Sequence, residues 1–188
     1  MILRYVSTIT LAITLAVIAA LGAAASVPQE AEAASVTVKT CTGGSFDLTT
    51  VEKRVLDLHN QARTKRGLKA LCVHPALMKA ARSHSQEMLD KDYTSHNSYN
   101  GETLKARLKR FGYTFSGYSY YRYGENIAWN YGSSSGPDNC FNWWMSSSGH
   151  RANILNKSFR DIGIGVRVGT FKSYSNTTMC TVDFGVRR

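Results

Sequence analysis

Apolar positions recur at helical spacing through much of the chain and switch to alternation near its C-terminus. The first helical face consists of Val51, Val55, Leu58 and Ala62. A capping box at Thr49 and Glu52 predicts where this helix begins, and Gly67 predicts where it stops. A second helix is predicted from Pro75 to about Asp90, because proline is favoured at the first helical position.

Two further helices and two strands complete this prediction. The third helix is expected to begin near Glu102 and to end at Gly112. The fourth is expected to be capped by Asp138 or Asn139. Alternating apolar residues predict two late strands, over Ile162, Ile164, Val166 and Val168 and over Cys180, Val182 and Phe184. Helices followed by antiparallel strands are typical of the α+β class, with helices packed on a small sheet.

The N-terminus has the features of a secretory signal peptide. Arg4 precedes an apolar run from about Ile9 to Leu21, and small residues that suit cleavage follow it. Cleavage sites are available after Ala25, Ala33 and Ala34. The alternative is an uncleaved membrane anchor, because the apolar run and its flanks approach spanning length.

The predicted organisation is a signal peptide over residues 1–34, a lead-in segment over residues 35–48 and one folded domain over residues 49–188. Such a chain is secreted, or held in the cell envelope. Its formal net charge of +10 would attract anionic partners. No nucleic-acid motif is present, and export argues against that partner. The densest basic run is predicted to be a solvated helix face and consists of Lys105, Arg107, Lys109 and Arg110.

An exported chain with an even number of cysteines favours disulfide bonds over free thiols. The four cysteines allow three pairings, and their spacing alone does not choose among them. We predict a Cys41–Cys72 bridge, which would tie the lead-in to the turn after the first helix. We also predict a Cys140–Cys180 bridge, which would tie the fourth helix to the last strand.

Two histidines and two acids from distant segments suggest a shared polar site. The candidate tetrad is His96, Glu102, Glu125 and His150. We predict that His96 and His150 hold a zinc-like divalent ion, because neutral imidazoles are good ligands for such ions. The carboxylates would complete the shell or orient the histidines, and Glu125 is expected on a Gly-Glu-Asn turn. The alternative is a hydrogen-bonded network that braces a cleft without metal. His84, on an apolar helical face, is interpreted as a core histidine.

The order of several short motifs resembles the CAP superfamily, the secreted domain of cysteine-rich secretory proteins, antigen 5 and the plant pathogenesis-related group. The resemblance covers roughly residues 51–186. Its main segments are Leu58-His59-Asn60-Gln61-Ala62-Arg63, Ser95-His96, Gly124-Glu125-Asn126-Ile127-Ala128, Trp144-Met145-Ser146-Ser147-Ser148-Gly149-His150-Arg151 and Ile162-Gly163-Ile164-Gly165-Val166. The resemblance implies an α-β-α sandwich, with a small antiparallel sheet between helices and a central cleft lined by the tetrad.

Two function classes remain open. The first is a monomeric, non-catalytic binding module whose groove takes an apolar or anionic ligand, such as a lipid, a sterol or an anionic cell-envelope component. The second is a metal-assisted, protease-like hydrolase that uses the same tetrad. We favour binding, because no Gly-x-Ser-x-Gly elbow or oxyanion hole is recognisable and Ser147 is expected to hydrogen-bond a turn. Trp143 is expected either to contact a ligand or to be partly buried.

Overall fold

The computed structural model describes residues 34–188. The predicted signal peptide lies outside the described residues, apart from its last position. Within residues 34–188 no helix is long and apolar enough to cross a membrane.

Helices and strands alternate along the described chain. The helices are α1 (Thr50–Thr64), α2 (Pro75–Asp90), α3 (Leu104–Arg110), α4 (Pro137–Ser146) and α5 (Ser148–Ile154), with a 3-10 turn at Gly132–Ser134. The strands are β1 (Ser35–Lys39), β2 (Ser45–Thr49), β3 (Cys72–Val73), β4 (Tyr121–Asn130), β5 (Asp161–Phe171) and β6 (Tyr174–Arg187).

The main sheet has four strands in the order β3-β5-β6-β4. The two predicted late strands, β5 and β6, are antiparallel, and the unpredicted β4 pairs antiparallel with β6, whereas the short β3 runs parallel to β5. The lead-in, for which no structure was predicted, forms an antiparallel hairpin of β1 and β2. Strand β4 lies at the open edge of the main sheet, and this edge carries the candidate site.

Helix α2 packs directly on β5 because two glycines leave room for its backbone. A Cβ at Gly163 would overlap the backbone of Leu77, and one at Gly165 would overlap the backbone of Ala81. The alternating apolar residues of β5 face the opposite side, where they join side chains of α1 and α4 in the largest core cluster. The result is the expected sandwich, in which the sheet lies between helices.

One of the predicted helix starts is confirmed and two differ from the prediction. The capping box is confirmed, since Thr49 Oγ1 accepts from the Glu52 amide at 3.1 Å and Glu52 Oε2 from the Thr49 amide at 3.0 Å. Helix α3 begins later than predicted, because the hydroxyl of Thr103 caps it. Helix α4 is preceded by Gly136 rather than capped by an Asp or Asn side chain.

One of the two predicted disulfides is present. Cys140 and Cys180 are bonded and join α4 to β6. Cys41 and Cys72 are free thiols in this structure, in contrast to the second predicted bridge. They are nevertheless close together, because the Cys41 amide donates to the carbonyl of Val73, the residue after Cys72, at 2.9 Å. Burial, and then the neighbouring Cys72, raise the pKa of Cys41.

Candidate functional site

Glu125 lies at the centre of the candidate site. It is buried within β4, where it pairs with Asp183 of β6, so the predicted Gly-Glu-Asn turn is wrong. The glycine serves packing instead of a turn: a Cβ at Gly124 would approach the Phe159 ring to 3.1 Å. The Glu125 backbone carbonyl, on the open edge of the sheet, accepts from Asn153 Nδ2 of α5 at 3.2 Å.

A buried arginine neutralises Glu125. The guanidinium of Arg107, on α3, forms an ion pair with the Glu125 carboxylate, and each side chain is 1% exposed. Arg107 also donates to the His96 carbonyl at 3.1 Å and to Ser98 Oγ at 3.3 Å. The prediction that Arg107 belongs to a solvated helix face is therefore wrong. One arginine of that basic run binds the loop that carries His96.

A second carboxyl, missed in the sequence, lies next to Glu125. Asp183 is completely buried, and neither of its oxygens has a hydrogen-bond partner among the described residues. Burial, and then the charge of Glu125, raise the pKa of Asp183 well above its ordinary value, while Arg107 lowers it. Two adjacent buried carboxylates cannot both ionise cheaply, so the protonated form of Asp183 is favoured beside the ionised Glu125.

His96 has one ring nitrogen bonded to Glu125 and the other without a partner among the described residues. Its Nδ1 donates to Glu125 Oε1 at 2.7 Å, whereas its side chain is 56% exposed. This hydrogen bond raises the pKa of His96. The His96 loop is also held from behind, because the buried His84 donates from Nε2 to the Ser95 carbonyl at 2.8 Å. His84 is thus the hydrogen-bonded core histidine that its position predicts, and burial lowers its pKa.

His150 is held by a different set of contacts. It lies in α5, and its Nδ1 is 2.9 Å from Ser147 Oγ, in the residue before that helix. Its ring packs against that of Trp143, with centroids 4.7 Å apart. Burial, and then the charge of His96, lower the pKa of His150, so the two imidazoles interact electrostatically.

Glu102 does not join the other three members of the tetrad directly. Both of its carboxylate oxygens accept from Arg110, each at 2.8 Å, and this bond lowers the pKa of Glu102. Its link to the site runs through Ser98 Oγ, which is 3.3 Å from Glu102 Oε2 and also accepts from Arg107. The sequence therefore predicts that Glu102 lies near the site but not that it pairs with Arg110.

The described residues contain no cluster of three or more His, Cys, Asp or Glu side chains placed to hold a metal. The site offers two imidazoles instead. Glu125 fixes the His96 ring by accepting from Nδ1, the arrangement that commonly orients a metal-binding histidine. Any ion held by His96 and His150 would therefore need water or ligand atoms to complete its shell.

A cleft of about 310 Å³ opens beside His150. It is bordered by Thr94, Ile127, Ala128, Trp129, Trp143 and His150. The Ile127 carbonyl on the open edge of β4 is satisfied by the indole N–H of Trp144 at 3.0 Å. That bond fixes Trp144 in the core and leaves its neighbour Trp143 53% exposed at the mouth of the cleft.

The model of the CAP, or cysteine-rich secretory protein, family matches residues 56–184. The chain belongs to this family. The uncharacterized protein YkwD of Bacillus subtilis is 38% identical over 136 residues, which cover 72% of this chain and 50% of YkwD. The uncharacterized membrane protein YlbC of the same organism is 38% identical over 118 residues, covering 63% of this chain and 32% of YlbC. The chain thus spans half or less of these curated relatives.

Solved structures show the same fold. An extracellular protein of Bacillus anthracis with an SCP domain superimposes with a TM-score of 0.58 at 30% identity, covering 73% of this chain and 40% of that one. An outer surface protein of Borrelia burgdorferi superimposes with a TM-score of 0.59 at 19% identity, covering 82% of this chain and 100% of that one. The second likeness concerns the fold alone.

Proposed function

We propose that this CAP protein acts outside the cell as a non-catalytic binding module. In this proposal His96 and His150 hold a divalent, zinc-like ion, and the adjoining cleft takes the ligand. The name of one structural relative, an extracellular protein of Bacillus anthracis, supports the location. The predicted signal peptide and the Cys140–Cys180 disulfide agree with it.

The observation that carries the proposal is the support given to His96. Arg107 and Glu125 form a buried pair, and that pair holds the imidazole with Nδ1 inward and Nε2 free of partners among the described residues. Burying an ion pair is costly, and a bracing network alone does not need a free ring nitrogen at the surface. A preoriented imidazole whose charge also affects the pKa of a second imidazole, that of His150, is suited to binding an ion.

The hydrolase alternative has one observation in its favour, the Ser147–His150 contact. Within residues 34–188, however, no carboxylate hydrogen-bonds the His150 ring to complete a triad. The contact also joins residues three positions apart, at the start of a helix, where a serine ordinarily bonds locally. We therefore favour binding and treat hydrolysis as an outcome to be tested.

Zinc titration by calorimetry tests the proposal. The wild type should bind zinc, and the His96→Ala/His150→Ala variant should bind at least tenfold more weakly. His74→Asn is a matched control, because His74 lies at the start of α2 and an asparagine can replace its cap. Equal, weak binding by all three proteins would refute the metal site.

Assays on peptide and ester substrates address the second outcome. We expect no turnover, with or without chelator. Hydrolysis that is lost in the double variant and in chelator would contradict the non-catalytic role and favour the metal-assisted alternative.

A further inference from the structure

Four aromatic residues line one continuous surface at the end of β4, which we call the aromatic groove. They are Trp129, Tyr131, Trp143 and Tyr174. Trp129 packs with Tyr131 and Tyr174 at centroid distances of 5.9 and 5.7 Å, and the two tyrosines are 4.2 Å apart. Behind them, the buried ring of Phe171 lies 4.9 Å from Trp129. Mutual packing therefore fixes the rings of Trp129, Tyr131 and Tyr174, whereas Trp143 packs on the ring of His150.

The rings are nevertheless exposed. Trp143 is 53% exposed, Tyr131 47% and Tyr174 38%. Clusters of large exposed aromatic side chains are unusual on a protein surface that has no ligand. Rings that are already held in place also lose little conformational entropy when a ligand stacks on them.

Two cavities meet at Trp129. The first is the cleft of about 310 Å³ that reaches His150. The second has a volume of about 470 Å³ and is lined by Trp129, Asn130, Tyr131, Gly132, Ser133 and Ser134. Both volumes are within the usual range of ligand sites, and their shared wall suits a ligand of several linked units.

The groove offers polar groups that are not used elsewhere. Among the described residues no hydrogen-bond partner is found for the indole N–H of Trp129 or Trp143, nor for the phenol of Tyr131. The hydroxyls of Thr94 and Ser133 border the cavities. Flat apolar ring faces combined with such donors and acceptors suit a ligand that alternates C–H faces with hydroxyl groups.

The charges of the lining exclude other ligands of similar shape. Apart from His150, the lining of the two cavities contains no Lys, Arg, Asp or Glu side chain. A single-stranded nucleic acid or an anionic lipid headgroup would need basic residues along its phosphates. An acyl chain would leave the polar tips of the rings without partners.

We propose that the aromatic groove binds an uncharged glycan chain, whose sugar rings stack on Trp129 and its neighbours and whose end reaches His150. This proposal deepens the binding function proposed above by naming the ligand class. Stacking on the rings does not require the metal ion, so the two proposals can fail separately.

A soluble chito-oligosaccharide is a suitable probe, with binding followed by tryptophan fluorescence and calorimetry. We expect saturable binding by the wild type and about tenfold weaker binding by Trp143→Ala and by Tyr131→Ala, the loss typical of removing a stacking ring. Tyr131→Phe should retain most of the affinity. Tyr118→Ala is the matched control, because Tyr118 packs on Arg187 at the opposite end of β4, about 30 Å away.

The outcomes separate the two proposals. Glycan binding without zinc binding would refute the metal site alone, and zinc binding without glycan binding would refute the glycan site alone. Equal glycan affinity in Trp143→Ala, Tyr131→Ala and the wild type would overturn the assignment to this groove. Preferred binding of an oligothymidylate or of a fatty acid, lost in the same variants, would overturn the ligand class. All three replaced side chains are exposed, and thermal unfolding will verify that each variant folds.

Discussion

Glu125→Gln is the most informative single substitution, because it removes the charge that Arg107 neutralises and keeps the shape of the side chain. Taking away one partner of a buried ion pair ordinarily costs about 3–5 kcal/mol, since the remaining charge is left buried without compensation. From the sequence alone, one would expect roughly 1 kcal/mol from the altered hydrogen bonds. The value to expect depends on whether the neighbouring Asp183 can take over the negative charge.

Asp183 can replace the lost charge. In the wild type, burial and the charge of Glu125 raise the pKa of Asp183, and Arg107 lowers it. In Glu125→Gln one raising cause disappears and the lowering cause remains, so the pKa of Asp183 must fall. Asp183 then ionises and pairs with Arg107, and we expect a loss of about 1–2 kcal/mol at pH 8.

The pH dependence follows from linkage. A carboxyl whose pKa is raised on folding costs stability as the pH rises above its unfolded value. This cost is smaller in Glu125→Gln, where the pKa of Asp183 is lower, so the difference from the wild type should be smallest at high pH. As the pH falls and Asp183 regains its proton, the loss should approach the full value for an unpaired Arg107.

Urea unfolding of a double-mutant cycle measures this compensation. Asp183→Asn alone should cost little, because the protonated form of Asp183 is already favoured in the wild type. Glu125→Gln/Asp183→Asn should lose about 3–5 kcal/mol at pH 8, well above the sum of the single losses. Additive losses, or a single Glu125→Gln loss equal to that of the double variant, would refute the reasoning.

Three further predictions concern the histidines and the disulfide. In an NMR titration His96 should have a pKa above 6.5 and His150 one below it, and the reverse order would contradict the assigned contacts. Replacing Cys140 and Cys180 by alanine should lower the free energy of unfolding by about 2–5 kcal/mol. Replacing the two free cysteines should cost less, and equal losses in urea would contradict this difference. Burial lowers the pKa of His59 to about 4, so its contribution to stability is complete above pH 6.5 and is lost toward pH 4. The free energy of unfolding of the wild type should therefore fall by about 3 kcal/mol between these pH values because of His59. In His59→Leu this part of the fall should be absent from urea unfolding, and an equal dependence on pH in both proteins would contradict the prediction.

Local signals were sufficient for much of the fold. The capping box at Thr49 and the proline at the start of α2 act through neighbouring backbone groups, so the sequence contains all the information needed. The late strands were predictable for a similar reason, since their apolar residues alternate. The glycines of β5 could be assigned to a strand from the sequence. That they leave room for the backbone of α2 could not be predicted without knowing that this helix packs on them.

The site was harder to predict because its partners come from distant segments. Gly124 beside two polar residues has the composition of a turn, and only pairing with β6 makes it a strand. Arg107 lies in a basic run of a seven-residue helix, too short for an apolar face to reveal which side is buried. Asp183 follows apolar strand residues and shows no local signal of its contact with Glu125.

The two histidines of the cleft depend on different supports, and this difference has a consequence for mutations that do not touch the ligand. His96 is oriented by Glu125, which is in turn held by Arg107 of α3. His150 is oriented by Ser147 and by the ring of Trp143. Disturbing Arg107 should therefore misalign His96 and leave His150 in place. A ligand that needs both imidazoles would lose affinity in such a variant, whereas one that stacks only on the aromatic groove would not.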